Sequence, residues 1–232
     1  MQETAGAIRT RARAALRRAI LDAALDQLAT TGADGLSVRQ VARQVGLASS
    51  AIYRYVPSRD ALLTELILAG YDQLGEAAEQ AEAGCDRGDL RGRFAATARA
   101  VRSWGAAHPH HYALLYGSPV PGYAAPEETA GPASRVPLVL SGILRDAAVA
   151  GAPPPPRPGP EPDSGILEPE VLTTVLAGVA PRAATEAVLV WASLFGVVSF
   201  ELFGHFVGSV ADADRFFEAA LGSLMDRLAL PG

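Results

Sequence analysis

The sequence predicts an all-α chain: an N-terminal three-helix head joined by a long helix to an all-helical body. Three observations lead there. Apolar residues recur at helical spacing, from Ile20-Ala24-Leu28 near the start to Phe217-Leu221-Leu224 near the end. No β alternation persists anywhere. Finally, Gly35 to Asp60, GLSVRQVARQVGLASSAIYRYVPSRD, has the length and punctuation of a helix-turn-helix.

The first helix is expected over Ile8–Thr30, with Ile20, Leu21, Ala24, Leu25 and Leu28 facing inward. Arg9, Arg11, Arg13, Arg17 and Arg18 crowd its first half. Thr31 to Gly35 closes it. Ser37-Val38-Arg39-Gln40 has the form of a capping box: Ser37 accepts from a first-turn N–H and Gln40 reaches back. Val38, Val41, Ala42 and Val45 make the apolar stripe of the next helix, and Gly46 supplies the turn. A second helix begins near Ala48 or Ser49 and stops at Pro57, which disfavours helical geometry at Val56. Ile52 and Val56 anchor it inward. Ser49, Ser50, Tyr53, Arg54 and Tyr55 face out, a hydrogen-bonding and cationic surface suited to a DNA groove.

Ser58 caps a long helix reaching about Ala83, with Leu62, Leu63, Leu66, Ile67 and Leu74 on its apolar side. A helix over Asp89–Ala107 follows, then a short one opening on Pro109. Gly117 to Pro126 is a loop. Glu128 to Ala150 is helical with a break or kink at Pro137. Gly151 to Gly165 holds seven prolines and reads as an extended or disordered loop. Helices over Leu167–Val179, Arg182–Val207 and Asp212–Leu228 complete the chain. Ala187 to Val207 is long enough to cross a bilayer. Glu201 within it, and the lack of a flanking basic cluster, favour a helix buried all round by core and partner. The domains expected are 1–57, a helix-turn-helix head, and 58–232, a regulatory body.

The 232 residues carry a net charge of −5, unevenly spread. Residues 1–60 hold nine arginines against five acids; the remainder holds eleven against twenty. A basic head on an acidic body suits a protein that meets a polyanion at one end. No lysine occurs, so all twenty cations are arginine. Cys85 is alone, which excludes an internal disulfide and a multi-cysteine metal site and fits a reducing, cytoplasmic setting. The opening residues contain no apolar segment of the signal-peptide kind. No cofactor or membrane association is expected.

The head resembles the TetR family of transcriptional regulators. Ser37, Val41, Ala42, Val45, Gly46, Leu47, Ile52, Tyr53, Tyr55, Ser58, Arg59 and Leu62 match its motif in kind and spacing. Ala48 stands where the family usually has a serine that caps the recognition helix, and Ser49 is expected to cap one residue later. Ser50, Ala51 and Val56 also depart from the usual residues. The body resembles a C-terminal type of that family with a Trp-His-Gly (WHG) signature, through Trp104, His108-Pro109, Tyr112 and Tyr116-Gly117-Ser118-Pro119.

The resemblance implies a dimer that binds a palindromic operator in double-stranded DNA, with repression as the default. By position Ser37 and Arg39 lie near phosphates, Ser49, Ser50 and Arg54 face the groove, Tyr53 and Tyr55 bond phosphate, and Arg59 and Arg17 neutralise it. The homodimer surface is expected on the last two helices, at Leu194, Val198, Leu202, Phe217, Leu221 and Leu224. Gly196, Gly204 and Gly208 would admit close helix approach. Trp104, His108, Tyr112, Tyr116, Trp191, Phe195 and His205 suit an apolar small-molecule effector pocket. Two other readings stand beside this one: a regulator controlled by a protein partner, and a metal-dependent enzyme using His108, His110 and His111.

Overall fold

The computed structural model describes residues 5–152 and 165–231, and all regular structure within them is helical. The order is α1 (Ala5–Thr31), α2 (Val38–Gln44), a 3-10 turn at Ile52–Arg54, α3 (Arg59–Ala83), α4 (Leu90–Ala107) and α5 (Pro109–Tyr116). A second 3-10 turn (Glu127–Thr129), α6 (Ala130–Ala133), α7 (Arg135–Val149), α8 (Pro169–Thr173), α9 (Pro181–Leu202) and α10 (Ala213–Arg227) follow. The stretch read as a proline-rich loop lies almost wholly outside the described residues.

Packing divides the chain into two compact units, Met1–Gly70 with His110–Thr129 and Tyr71–Pro109 with Ala130–Gly232. This differs from the boundary expected after residue 57. The first unit takes in the start of α3 because Leu62, Leu63 and Leu66 are fully buried in the same core as α1 and α2. It also takes in α5 and the loop after it. Leu114, Val120 and Tyr123 pack against that core, and the Tyr123 hydroxyl bonds Thr64 at 2.9 Å.

The second unit packs α4 against α7 and α9, with α10 against α9 and α4. Two of its helices, α4 and α10, start where an aspartate side chain caps them. Asp89 accepts from the Gly92 amide at 2.7 Å and Asp212 from that of Arg215 at 3.0 Å. Arginine clamps then tie the elements together. Arg93, 1% exposed, donates through Nε to Glu82 (2.7 Å) and through Nη1 to the Arg87 carbonyl (3.0 Å), and Nη1 forms an ion pair with Asp146 at 2.8 Å. Arg102 binds Glu201 in a two-pronged pair at 2.6 and 2.7 Å, reaches Asp214 at 2.7 Å, and lies 4.7 Å above the Phe217 ring. These partners raise the Arg102 pKa still further, with the Glu201 hydrogen bond the largest cause. Such pairing offsets the cost of withdrawing a charge from water.

Several expected boundaries move. The break placed at Pro137 falls at Ser134, between α6 and α7. A proline ring clashes with the carbonyl four residues earlier, so the helix restarts just ahead of Pro137, which sits in the first turn of α7, where its missing N–H costs nothing. The helix expected over Leu167–Val179 shrinks to Pro169–Thr173, where Thr173 and Thr174 hydroxyls bond carbonyls at Pro169 and Glu170. The helix expected to run to Val207 ends at Leu202. Gly204 takes φ +76°, its N–H bonds the Glu201 carbonyl at 3.2 Å, and the His205 N–H bonds the Phe200 carbonyl at 2.8 Å. That is a Schellman stop. Gly204 and Gly208 therefore belong to the turn beyond α9 and not to a helix-packing seam.

The same stop closes α10, but with alanine in the left-handed position. Ala229 has φ +52°, with Ala229 N–H on the Asp226 carbonyl (3.0 Å) and Leu230 N–H on that of Met225 (3.1 Å). An L side chain pays for that conformation and glycine does not. Ala229→Gly is expected to stabilise the protein by about 0.5–1 kcal/mol, read as a raised Tm in thermal denaturation; an unchanged or lowered Tm refutes the strain.

Candidate nucleic-acid interface

The first unit is built so that its apolar side chains leave one surface to polar and cationic ones. Val38, Val41 and Ala42 of α2 point inward with Ile52 and Val56, against Ile20, Ala24 and Leu28 of α1 and the leucines of α3. Arg39, Gln40, Arg43 and Gln44 are left outside on α2, and Ser49, Ser50, Tyr53 and Arg54 outside on the segment that follows. Tyr53 is 42% exposed and Tyr55 is half-buried against the core.

The capping box forms by half. Ser37 Oγ accepts from the Gln40 amide at 3.4 Å, whereas the Ser37 amide is taken by Gln27 of α1, at 3.0 Å, and not by Gln40. Gly46 turns the chain at φ +71°; its N–H bonds the Arg43 carbonyl and the Leu47 N–H that of Ala42, ending α2 in a Schellman motif.

The α-helix expected from Ala48 or Ser49 to Pro57 is instead a three-residue 3-10 turn at Ile52–Arg54, entered through turn residues. Its N-cap position is Ala51, and no side chain caps it, so Ser49 does not take the capping role. The segment is held by short backbone bonds: Ala51 N–H to the Ala48 carbonyl (2.8 Å), Arg54 to Ala51 (3.2 Å) and Tyr55 to Ile52 (2.8 Å). Without a cap at its start and with Pro57 at its end, too few residues remain to nucleate an α-helix.

The arginines divide by what they already hold. Arg17 forms a two-pronged pair with Glu65 of α3, both contacts at 2.9 Å. Arg59 Nη2 donates to the Ala33 carbonyl at 2.9 Å and lies 3.7 Å from Asp60. Arg39, Arg43 and Arg54 are exposed, and their guanidinium groups make no hydrogen bond or ion pair within the described residues. Sequence reasoning omitted Arg43, although its place one turn after Arg39 signals it. It also missed Gln27 and Asp26. Gln27 was visible only as a polar interruption of the α1 stripe, and Asp26 receives the Gln44 side-chain amide at 3.0 Å.

The residues expected to form an effector pocket make several ring contacts. Trp104, buried, stacks on exposed His108 with centroids 5.1 Å apart. Tyr112, fully buried, meets Tyr116 at 5.0 Å. Trp191 meets Phe195 edge-on at 5.8 Å, and His205 lies 5.0 Å from Phe200. None of the seven lines the 290 Å³ cleft of the second unit, which Glu79, Glu82, Arg87, Arg93 and Arg135 border. None lines the 150 Å³ cleft of the first unit, bordered by Leu28, Ala33, His110, Leu114 and Val120.

Five of the six residues expected at a dimer surface face the subunit's own interior. Leu194, Val198, Phe217, Leu221 and Leu224 are buried within the single chain, and Leu202 is half-buried. The apolar side chains left exposed on and beside α9 and α10 are Leu189, Trp191, Phe200, Phe203, Val207 and Phe216. α9 is thus buried on one face only. Its acids are paired, Glu201 with Arg102 and Glu186 with Arg227 at 2.6 Å, an arrangement suited to packing in protein.

Comparison with known proteins gives two matches along the chain. Residues 20–66 match the model of bacterial regulatory proteins of the tetR family, and residues 94–224 match that of the tetracyclin repressor-like C-terminal domain. The chain is 37% identical over 228 residues, 94% of either chain, to an HTH-type transcriptional regulator of Mycobacterium tuberculosis. The crystal structure of the regulatory protein SCO4313 superposes with TM-score 0.73 and 33% identity, over 93% of this chain and 98% of that one. A protein of unknown function from Rhodococcus sp. RHA1 gives 0.68 and 30%, over 92% and 95%. These matches set the enzyme reading aside: the chain belongs to the TetR family and is a DNA-binding transcriptional regulator.

Proposed function

We propose that the protein is a homodimeric repressor that reads a palindromic operator and leaves it when an apolar or aromatic small molecule binds the body. The observation that carries this reading is the set of three exposed, unpaired arginines, Arg39, Arg43 and Arg54, on a rigid helix-turn-helix frame. Cations with no partner inside the protein are available to phosphate and base edges. Arg54 stands on the recognition segment, and its fork matches the guanine edge in the major groove. Arg39 and Arg43, together with Ser37, Tyr53 and Tyr55, take the phosphate role, and Ser49 and Ser50 line the groove. Arg17 and Arg59, each already engaged, contribute by bracing α1 and the α1–α2 loop.

One head makes too few contacts for a long-lived complex. Two, spaced by a whole helical turn, read a two-fold site. The exposed apolar group at Leu189, Trp191, Phe200, Phe203, Val207 and Phe216 supports a partner copy seated on α9 and α10. An effector acts only if it binds one head spacing better than the other. Helix α3, which belongs to both units, is the element through which it would act. The domain division follows the packing, and regulation by a protein partner is the second reading, to which the exposed apolar group on and beside α9 and α10 also lends itself.

Selection of bound DNA from a random pool tests the operator reading, and recovery of no two-fold motif refutes it. On the selected site Arg54→Ala is expected to cost about 1–3 kcal/mol and to relax preference at one base pair per half-site. Arg43→Ala or Arg39→Ala should weaken selected and random duplexes alike and lessen the salt dependence by about one unit of slope; unchanged slopes contradict the phosphate role. Sedimentation at micromolar concentration should give a dimer, and Phe200→Arg a monomer that stays folded. A wild-type monomer defeats the dimer reading.

A further inference from the structure

We propose that Gln27 is a positioning residue for DNA binding: its side-chain carbonyl holds the amide of Ser37, the N-cap of α2, and so fixes where Arg39 and Arg43 stand. This rests on the phosphate role given to those two arginines. Gln27 is 8% exposed in a stripe otherwise made of Ile20, Ala23, Ala24 and Leu28. A buried amide is costly unless bonded, and leucine would fill the place as well. The packing therefore does not call for glutamine; the hydrogen bond does. Gln27 Oε1 accepts from the Ser37 amide at 3.0 Å, while the cap's own bond, Ser37 Oγ to the Gln40 amide, is long at 3.4 Å.

The residue before it completes the grip. Asp26 Oδ2 accepts from Gln44 Nε2 at 3.0 Å, at the other end of α2. Two consecutive residues of α1 thus hold both ends of a seven-residue helix, which is too short to hold itself and spans only about 10 Å. The loop between is fixed as well. Arg59 donates to the Ala33 carbonyl, Thr31 Oγ1 to the Gln27 carbonyl at 2.9 Å, and a Cβ on Gly35 would come within 2.4 Å of Thr31. Arg39 and Arg43 sit one turn apart on the helix so held. Sequence-specific binding needs both to meet their phosphates in one register; loose electrostatic attachment does not.

The test compares full-length wild type, Gln27→Leu, Gln27→Glu and Arg39→Ala on the selected operator and on a random duplex, at a temperature where circular dichroism shows each folded. Gln27→Leu is expected to lose about tenfold on the operator and little on random DNA, with the Ser37 amide exchanging faster with solvent. Gln27→Glu keeps an acceptor and should keep the operator-to-random ratio, although its charge lowers both affinities. A folded Gln27→Leu that binds the operator as wild type does, or that loses equally on both DNAs, overturns the proposal. If Gln27→Leu does not fold, Gln44→Ala removes the exposed tether instead. A several-fold loss confined to the operator then supports the proposal, and wild-type affinity overturns it. Arg39→Ala without effect on either DNA would remove the contact reading beneath it, a failure distinct from the others.

Discussion

Burial of Val41, Ala42, Ile52 and Val56, each at zero exposure against α1 and α3, is the constraint on which the DNA-binding unit depends. Neither α2 nor the 3-10 turn is long enough to persist alone. Their conformation is a product of that shared core, and so is the outward aim of Arg39, Arg43 and Arg54. The fully buried leucines of α3 close the same core from below, which is why the packing boundary falls within α3 and not before it.

Much of this was legible in the sequence because it is written in local chemistry. Ser37 and Ser58 announced helix starts, and each side chain accepts a first-turn amide; Asp89 and Asp212, read only as the first residues of their helices, cap them in the same way. Gly46 announced the turn. What was misplaced depends on geometry that a linear pattern does not carry. The 3-10 turn replaced a helix because a missing cap and a nearby proline act together. Pro137 acts on the carbonyl four residues earlier, so its effect appears away from its own position. Hydrophobic spacing chose Leu194, Val198, Phe217, Leu221 and Leu224 for an interface, but core and interface share one signal and these five face the core. The hydrogen bond from Ser37 to Gln27 joins residues ten apart across a loop, and no period in the sequence encodes it.

The second unit handles charge differently. There arginines are consumed in ion pairs: Arg93, buried, with Glu82 and Asp146, Arg102 with Glu201 and Asp214, and Arg227 with buried Glu186. The Arg102 fork satisfies both carboxylate oxygens of Glu201 in a fixed plane, so that pair aligns α4 with α9 as well as neutralising charge. The balance of the whole chain is acidic, yet the helix-turn-helix keeps Arg39, Arg43 and Arg54 without a side-chain partner among the described residues. Net charge alone conceals that arrangement; the division between paired and unpaired arginines reveals it.

The absence of lysine has a consequence for control. Guanidinium groups do not lose their protons under physiological conditions, and residues 1–60 contain no histidine. The side-chain cations of residues 1–60 therefore keep their charge across the range in which cells operate, and lysine acetylation has no target among them. Ionic strength, rather than acidity or amine acylation, is the environmental variable to which the grip on DNA responds.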